Sequence, residues 1–151
     1  MKKFRFPLRS VTTVRTLREL RAREQFSAAV NAYVLADERL QTIRAKLSEL
    51  EEIVRSGRAQ RFRPSEVISF MQALKDETLV AKKAEGEVVQ ARNAMEAARQ
   101  AWLETRRDLR VLENLERKAK TLHRLETERE DQAALDDRTS SLAARGSVQS
   151  S

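Results

Sequence analysis

The stretch Val67 to Leu112, VISFMQALKDETLVAKKAEGEVVQARNAMEAARQAWLETRRDLRVL, decides the fold. Every seventh residue from its start gives Val67, Leu74, Ala81, Val88, Met95, Trp102 and Leu109. A companion row three residues on gives Phe70, Glu77, Ala84, Ala91, Ala98, Thr105 and Leu112, with Glu77 the acidic exception. Two rows offset in this way are the a/d seam of a coiled coil, because a 3.5-residue apolar repeat keeps one stripe of a helix facing a partner. Alanines on the d row allow close approach. Gly86 falls on an outer position, where it costs about 1 kcal/mol of helix propensity against Ala and leaves the helix intact.

The N-terminal half repeats the pattern with Phe26, Tyr33, Leu40, Leu47 and Val54, and, three residues on, Ala29, Ala36, Ile43 and Leu50. No Gly or Pro lies between Pro7 and Gly57. Gly57 reads as a C-terminal stop, with Arg55 and Arg58 suited to the negative end of the helix dipole. Arg58 to Pro64 reads as a short basic loop, and Ser65 as the N-cap of a second helix with Glu66 in its first turn. So short a loop permits only an antiparallel return. The expected fold is all-α: a two-helix antiparallel coiled-coil hairpin over residues 1–138, with helix one at about 8–56, the loop at 57–64 and a longer helix two at about 65–137. Residues 139–151, small, polar and glycine-bearing, are expected to form a disordered tail.

Composition narrows the function. The 151 residues include three Gly, two Pro and no Cys, with 35% charged and 5% aromatic. Without cysteine there is neither a disulfide scaffold nor a thiolate metal site, and a reducing compartment suits the chain. No apolar run reaches the roughly 18 residues a membrane span needs. Lys2, Lys3 and Arg5 imitate the start of a signal peptide, but Arg9, Arg15 and Arg18 interrupt its apolar segment. A cytoplasmic protein is expected. His123 with Glu126 and Glu130 lines one helix face, yet a metal site lacks its second histidine or cysteine, so a solvated histidine is expected. Three isolated glycines make no phosphate loop, and a hairpin offers no concave pocket for a nucleophile and base. Trp102 reads as seam packing. No enzyme, metal or cofactor is expected.

Length and charge point to partners instead. Helix one spans roughly 75 Å and helix two roughly 110 Å, so about 20 residues of helix two lack a partner in the chain. Leu115, Ala119, Leu122 and Leu125 continue an apolar stripe there. Such a stripe implies a partner elsewhere; a frayed end or self-association of two hairpins is the other reading, against an expected elongated monomer. Of the net charge of +7, residues 1–25 carry +6, from eight bases and two acids. Arg106 to Arg129 carries eight more bases interleaved with acids. The open end of the hairpin is therefore its basic end, fit for nucleic acid, acidic lipid or an acidic protein surface; interleaved acids and scarce aromatics argue against nucleic acid.

Lys3-Phe4-Arg5-Phe6-Pro7-Leu8-Arg9-Ser10-Val11 resembles the opening of the FliJ family of flagellar export proteins. Arg106-Arg107-Asp108-Leu109, with Leu112-Glu113-Asn114-Leu115-Glu116-Arg117-Lys118, is similar to the family's second segment. Leu135-Asp136-Asp137 and Ala143-Ala144-Arg145 resemble its close. The resemblance covers nearly the whole chain, in matching order. It implies a coiled coil like the central stalk of rotary ATPases, whose terminal end inserts into a hexameric export ATPase ring of the FliI type. It also implies contact with the membrane export gate component FlhA, escort of export chaperones, and a place in the cytoplasm at the inner face of the cell membrane, reached through those partners. For the ring, the expected contacts are Arg9, Arg15, Arg18, Arg117, Lys120 and Arg124, with Leu115 and Leu122 as apolar anchors. For the gate, Phe70 and Leu74 match the family's spacing, and Ile43 is a weaker match. Packing in the seam is the other reading of Phe70 and Leu74. A YscO-like stalk of a virulence secretion system and a generic basic coiled coil on nucleic acid are the alternatives.

Overall fold

A computed structural model describes residues 3–59 and 62–149. It contains two helices, α1 (Arg9–Ala59) and α2 (Pro64–Gln149). There is no strand among the described residues, and no helix is long and apolar enough to cross a membrane. The chain divides into two compact units. One, here the turn unit, is Glu19–Glu104; the other, the terminal unit, is Met1–Arg18 with Thr105–Ser151.

In the turn unit, rising positions on α1 meet falling positions on α2, as an antiparallel hairpin requires. The Trp102 indole N–H donates to Glu19 Oε1 at 3.0 Å, Arg92 donates to the Tyr33 hydroxyl at 3.4 Å, and Arg44 pairs with Glu85 at 3.4 Å. Leu40 and Ile43 of α1 pack on Ala81, Ala84 and Val88 of α2, with Tyr33 and Ala36 against the cluster. Small residues on α2 leave room for large ones on α1, so both heptad rows close into one seam. Phe26 stacks on Trp102 with ring centroids 5.6 Å apart.

The turn differs from expectation in detail. Gly57 does not end α1, which continues to Ala59. Instead the Phe62 ring occupies the space a Gly57 side chain would need, and the Phe62 N–H donates to the Gly57 carbonyl at 3.1 Å. α2 begins one residue before Ser65, at Pro64, because the Arg63 carbonyl accepts from the N–H groups of Glu66 and Val67. Proline suits the first helical position, where its missing N–H is not needed. Gln60 and Arg61 of the expected basic loop lie outside the described residues. Gly57→Ala is expected to expel Phe62 and cost about 1–3 kcal/mol, as overpacking does. A double-mutant cycle by urea melting checks this: Phe62→Ala should erase most of that loss.

In the terminal unit, Phe4 meets His123 at 5.5 Å between ring centroids and Arg15 donates to the Asp108 carbonyl at 3.2 Å. Residues 3–8 precede α1, and non-helical chain advances up to about 3.3 Å per residue against 1.5 Å in a helix. The N-terminal segment therefore covers α2 farther than helix lengths alone suggest. Ala119 is half-buried rather than uncovered, and His123 is half-buried against Phe4 rather than solvated. The uncovered part of α2 starts after Thr127, and every described residue beyond it is exposed. Helix also continues past the expected end near residue 137 to Gln149, through the stretch read as a tail. No proline interrupts it there, and Leu142, Ala143, Ala144 and Arg145 have good helix propensity. Residues 150 and 151 lie outside the described residues.

Candidate protein-binding surfaces

Inside a coiled coil the seam is normally apolar, and in the terminal unit it is not. Thr12 and Arg15 of α1, and Thr105, Glu116 and His123 of α2, occupy half-buried inward positions beside Leu109, Leu112 and Ala119. Large apolar side chains point outward instead: Val11, Val14, Val111, Leu115, Leu122 and Leu125 are all exposed, Leu115 at 44% and Leu122 at 61%. These exposed aliphatic side chains are candidates for contact with a partner.

Helical phase sorts these groups. Each residue turns by about 100°, so Val111, Leu115, Leu122 and Leu125 fall on one flank of α2. Arg106, Arg110, Arg117, Lys120 and Arg124 fall on the other flank. On α1, Val11, Val14 and Arg18 share one flank, and Arg9 lies on the opposite one. Antiparallel helices are related by an approximate two-fold axis normal to their plane, which brings flanks of like phase to the same side. One side thus combines Val11, Val14, Arg18, Leu115 and Leu122; the other combines Arg9, Arg117, Lys120 and Arg124. The eight expected ring contacts all lie in the terminal unit, but they do not form one patch. Arg15 faces inward, towards the Asp108 carbonyl. Lys120 sits 3.7 Å from the half-buried Glu116 and Arg124 3.7 Å from the exposed Glu128, and both cations are themselves exposed.

The second surface is at the turn. Phe70 is half-buried under Phe62, with ring centroids 5.6 Å apart. Leu74 is half-buried and, with Met71, Glu51, Val54 and Arg55, lines a shallow groove of about 410 Å³. Leu74 is at once a seam member and groove lining, while Phe70 lies one turn away beneath Phe62. Ile43 does not join them: it is only 7% exposed, within the core cluster, because its row faces the alanines of α2. Ile68, one helical turn from Met71, extends the exposed apolar surface.

Glu19 was not singled out by sequence, yet it is a buried carboxylate, held by Trp102 and by Arg23 at 3.0 Å. Counting back by sevens from Phe26 reaches Glu19 and then Thr12, and from Ala29 reaches Ala22 and Arg15. That count locates the change from apolar to polar seam. Among the described residues, no group of three or more His, Asp or Glu is placed to hold a metal ion.

A family model described as Flagellar FliJ protein matches residues 4–147. No curated protein and no solved structure gives a significant match. The matched span includes α1, the turn, α2 as far as residue 147 and both exposed surfaces, and the chain belongs to the flagellar FliJ family, a family of flagellar protein export.

Proposed function

We propose that the chain is a non-enzymatic stalk of the flagellar type III export apparatus that binds and regulates the hexameric export ATPase through its terminal unit. The observation that carries this reading is the division of exposed groups between two opposite sides, one mainly aliphatic with Arg18 and the other basic. A partner with a single flat face engages one side only. A ring engages both at once, as it surrounds the coiled coil. Through the ring the protein would bias the state of the ATPase subunits mechanically, with Leu115 and Leu122 as anchors and Arg9, Arg18, Arg117, Lys120 and Arg124 as charge contacts.

The groove at the turn is the proposed contact for the membrane export gate, with Phe70, Leu74 and Met71 supplying an adaptable apolar surface. Escort of export chaperones and a peripheral place at the inner membrane face follow from the same reading. Co-sedimentation of the full chain with the purified export ATPase tests the first contact. Phe70→Ala combined with Leu74→Ala tests the second. Both side chains are half-buried, so the expected stability loss is about 1–3 kcal/mol in total, well below that of two full core truncations. Binding to the cytoplasmic part of the gate is expected to disappear while ATPase binding persists. Equal weakening of both partners would reduce these residues to packing.

A further inference from the structure

Beyond Thr127, α2 runs on without any cover from α1, and its heptad rows change character. The inward-facing rows that hold Leu112, Ala119 and His123 continue through Glu126, Glu130, Ala133 and Asp137. Where a partner helix is missing, the seam is acidic. Residues 126–137 contain six acids (Glu126, Glu128, Glu130, Asp131, Asp136, Asp137) and one base (Arg129), a net charge of 1 − 6 = −5. Residues 3–18 contain five bases (Lys3, Arg5, Arg9, Arg15, Arg18) and no acid, a net charge of +5. The acidic segment measures about 18 Å along the helix, with Glu126, Glu130 and Asp137 on its inward face; Arg9 to Arg18, which holds three of the five bases, measures about 15 Å.

These two segments are equal and opposite in net charge, and among the described residues no ion pair joins them. Arg15 on the Asp108 carbonyl and Phe4 on His123 fix the first turns of α1 beside residues 108–123. α2 continues unbroken to Gln149, so the acidic stretch does not turn back onto Arg9 or Arg18. Leu135 and Leu142, one heptad apart on the same overhang, are 55% and 68% exposed and add apolar surface beside the charges.

We propose that the occupant of this overhang is a second copy of the chain. Glu126, Glu130 and Asp137 of each copy lie along the outer face of α1 of the other, flanked by Arg9 on one side and Arg18 on the other, in a closed, two-fold symmetric dimer where each contact occurs twice. Opposite charges of equal size offset the repulsion that a net charge of +7 otherwise imposes on self-association. The expected monomer is one side of this equilibrium. The dimer does not rest on the ATPase reading. If that reading also holds, dimer and ring compete for Arg9 and Arg18.

Sedimentation equilibrium of the full chain, at low and high salt, tests the proposal. A monomer–dimer equilibrium that weakens as salt rises is expected, because the contacts are exposed charges. Glu130→Lys with Asp137→Lys should raise the dimer dissociation constant at least about tenfold, and Arg9→Glu with Arg18→Glu should do the same. Mixing the two variants should restore a heterodimer, since each contact then pairs opposite signs again. Circular dichroism checks that helix content is retained, and the milder Glu130→Gln, Asp137→Asn pair must shift the equilibrium in the same direction. A wild-type monomer at every concentration overturns the proposal. So does a dimer indifferent to these charges, or a monomer whose Glu130 and Asp137 are instead needed for binding the export ATPase.

Discussion

Leu40→Ala is expected to lower the stability of the protein by about 3 kcal/mol, in the middle of the span for leucine truncation in tight cores. Leu40 is 4% exposed and packs with Ile43 on Ala81, Ala84 and Val88. Its opposite neighbours are already small, so no side chain expands into the space that the truncation leaves. With total stabilities of about 5–15 kcal/mol typical of domains, one such change removes a large fraction. Leu35, 66% exposed on the same helix, provides the control: Leu35→Ala is expected to stay within about 0.5 kcal/mol of the parent. Urea melts followed by circular dichroism measure both. Equal effects of the two variants would mean that the alanine-lined seam is not what holds the turn unit together.

The largest functional effect is expected on the basic side of the terminal unit. Arg9→Glu, Arg117→Glu and Arg124→Glu together should weaken binding to the export ATPase about 100-fold, taking roughly 1 kcal/mol for each reversed contact. The fold should be nearly unaffected, since all three are exposed and the Arg124–Glu128 pair at 3.7 Å contributes little. Leu115→Ala with Leu122→Ala should also weaken the complex, but with little change in salt dependence, because aliphatic contacts are not screened. Surface plasmon resonance at two salt concentrations separates the two sides. Loss through the leucines alone would confine the contact to the aliphatic side and remove the reason for a surrounding partner.

Two regular rows of side chains made the hairpin legible. Val67 to Leu112 repeats every seven residues with one acidic exception, Glu77, and a strong period fixes which stripe faces inward. The polar continuation was harder to read. Thr12, Arg15 and Glu19 occupy the rows of Phe26 and Ala29, but polar residues at seam positions give no hydropathy signal. The overhang starts farther along α2 than expected, because the chain before Arg9 is not helical and a residue count at helical rise underestimates its reach. The apparent single patch at the open end came from proximity in sequence; Leu115 and Arg117 are two residues apart and therefore about 200° apart around the helix. Ile43 matched a spacing, while its burial depends on what α2 places opposite. The helix from residue 138 to Gln149 contains small polar residues that also compose disordered tails.

ATP hydrolysis by the purified hexameric export ATPase, measured against increasing amounts of the full chain, tests the proposed stalk role most directly. A saturable change in hydrolysis is predicted with the wild-type chain. It should persist with Phe70→Ala/Leu74→Ala and vanish with Arg9→Glu/Arg117→Glu/Arg124→Glu. Hydrolysis unaffected by the wild-type chain at concentrations that saturate the ring, or altered equally by the charge-reversed one, would contradict a stalk that acts through the terminal unit.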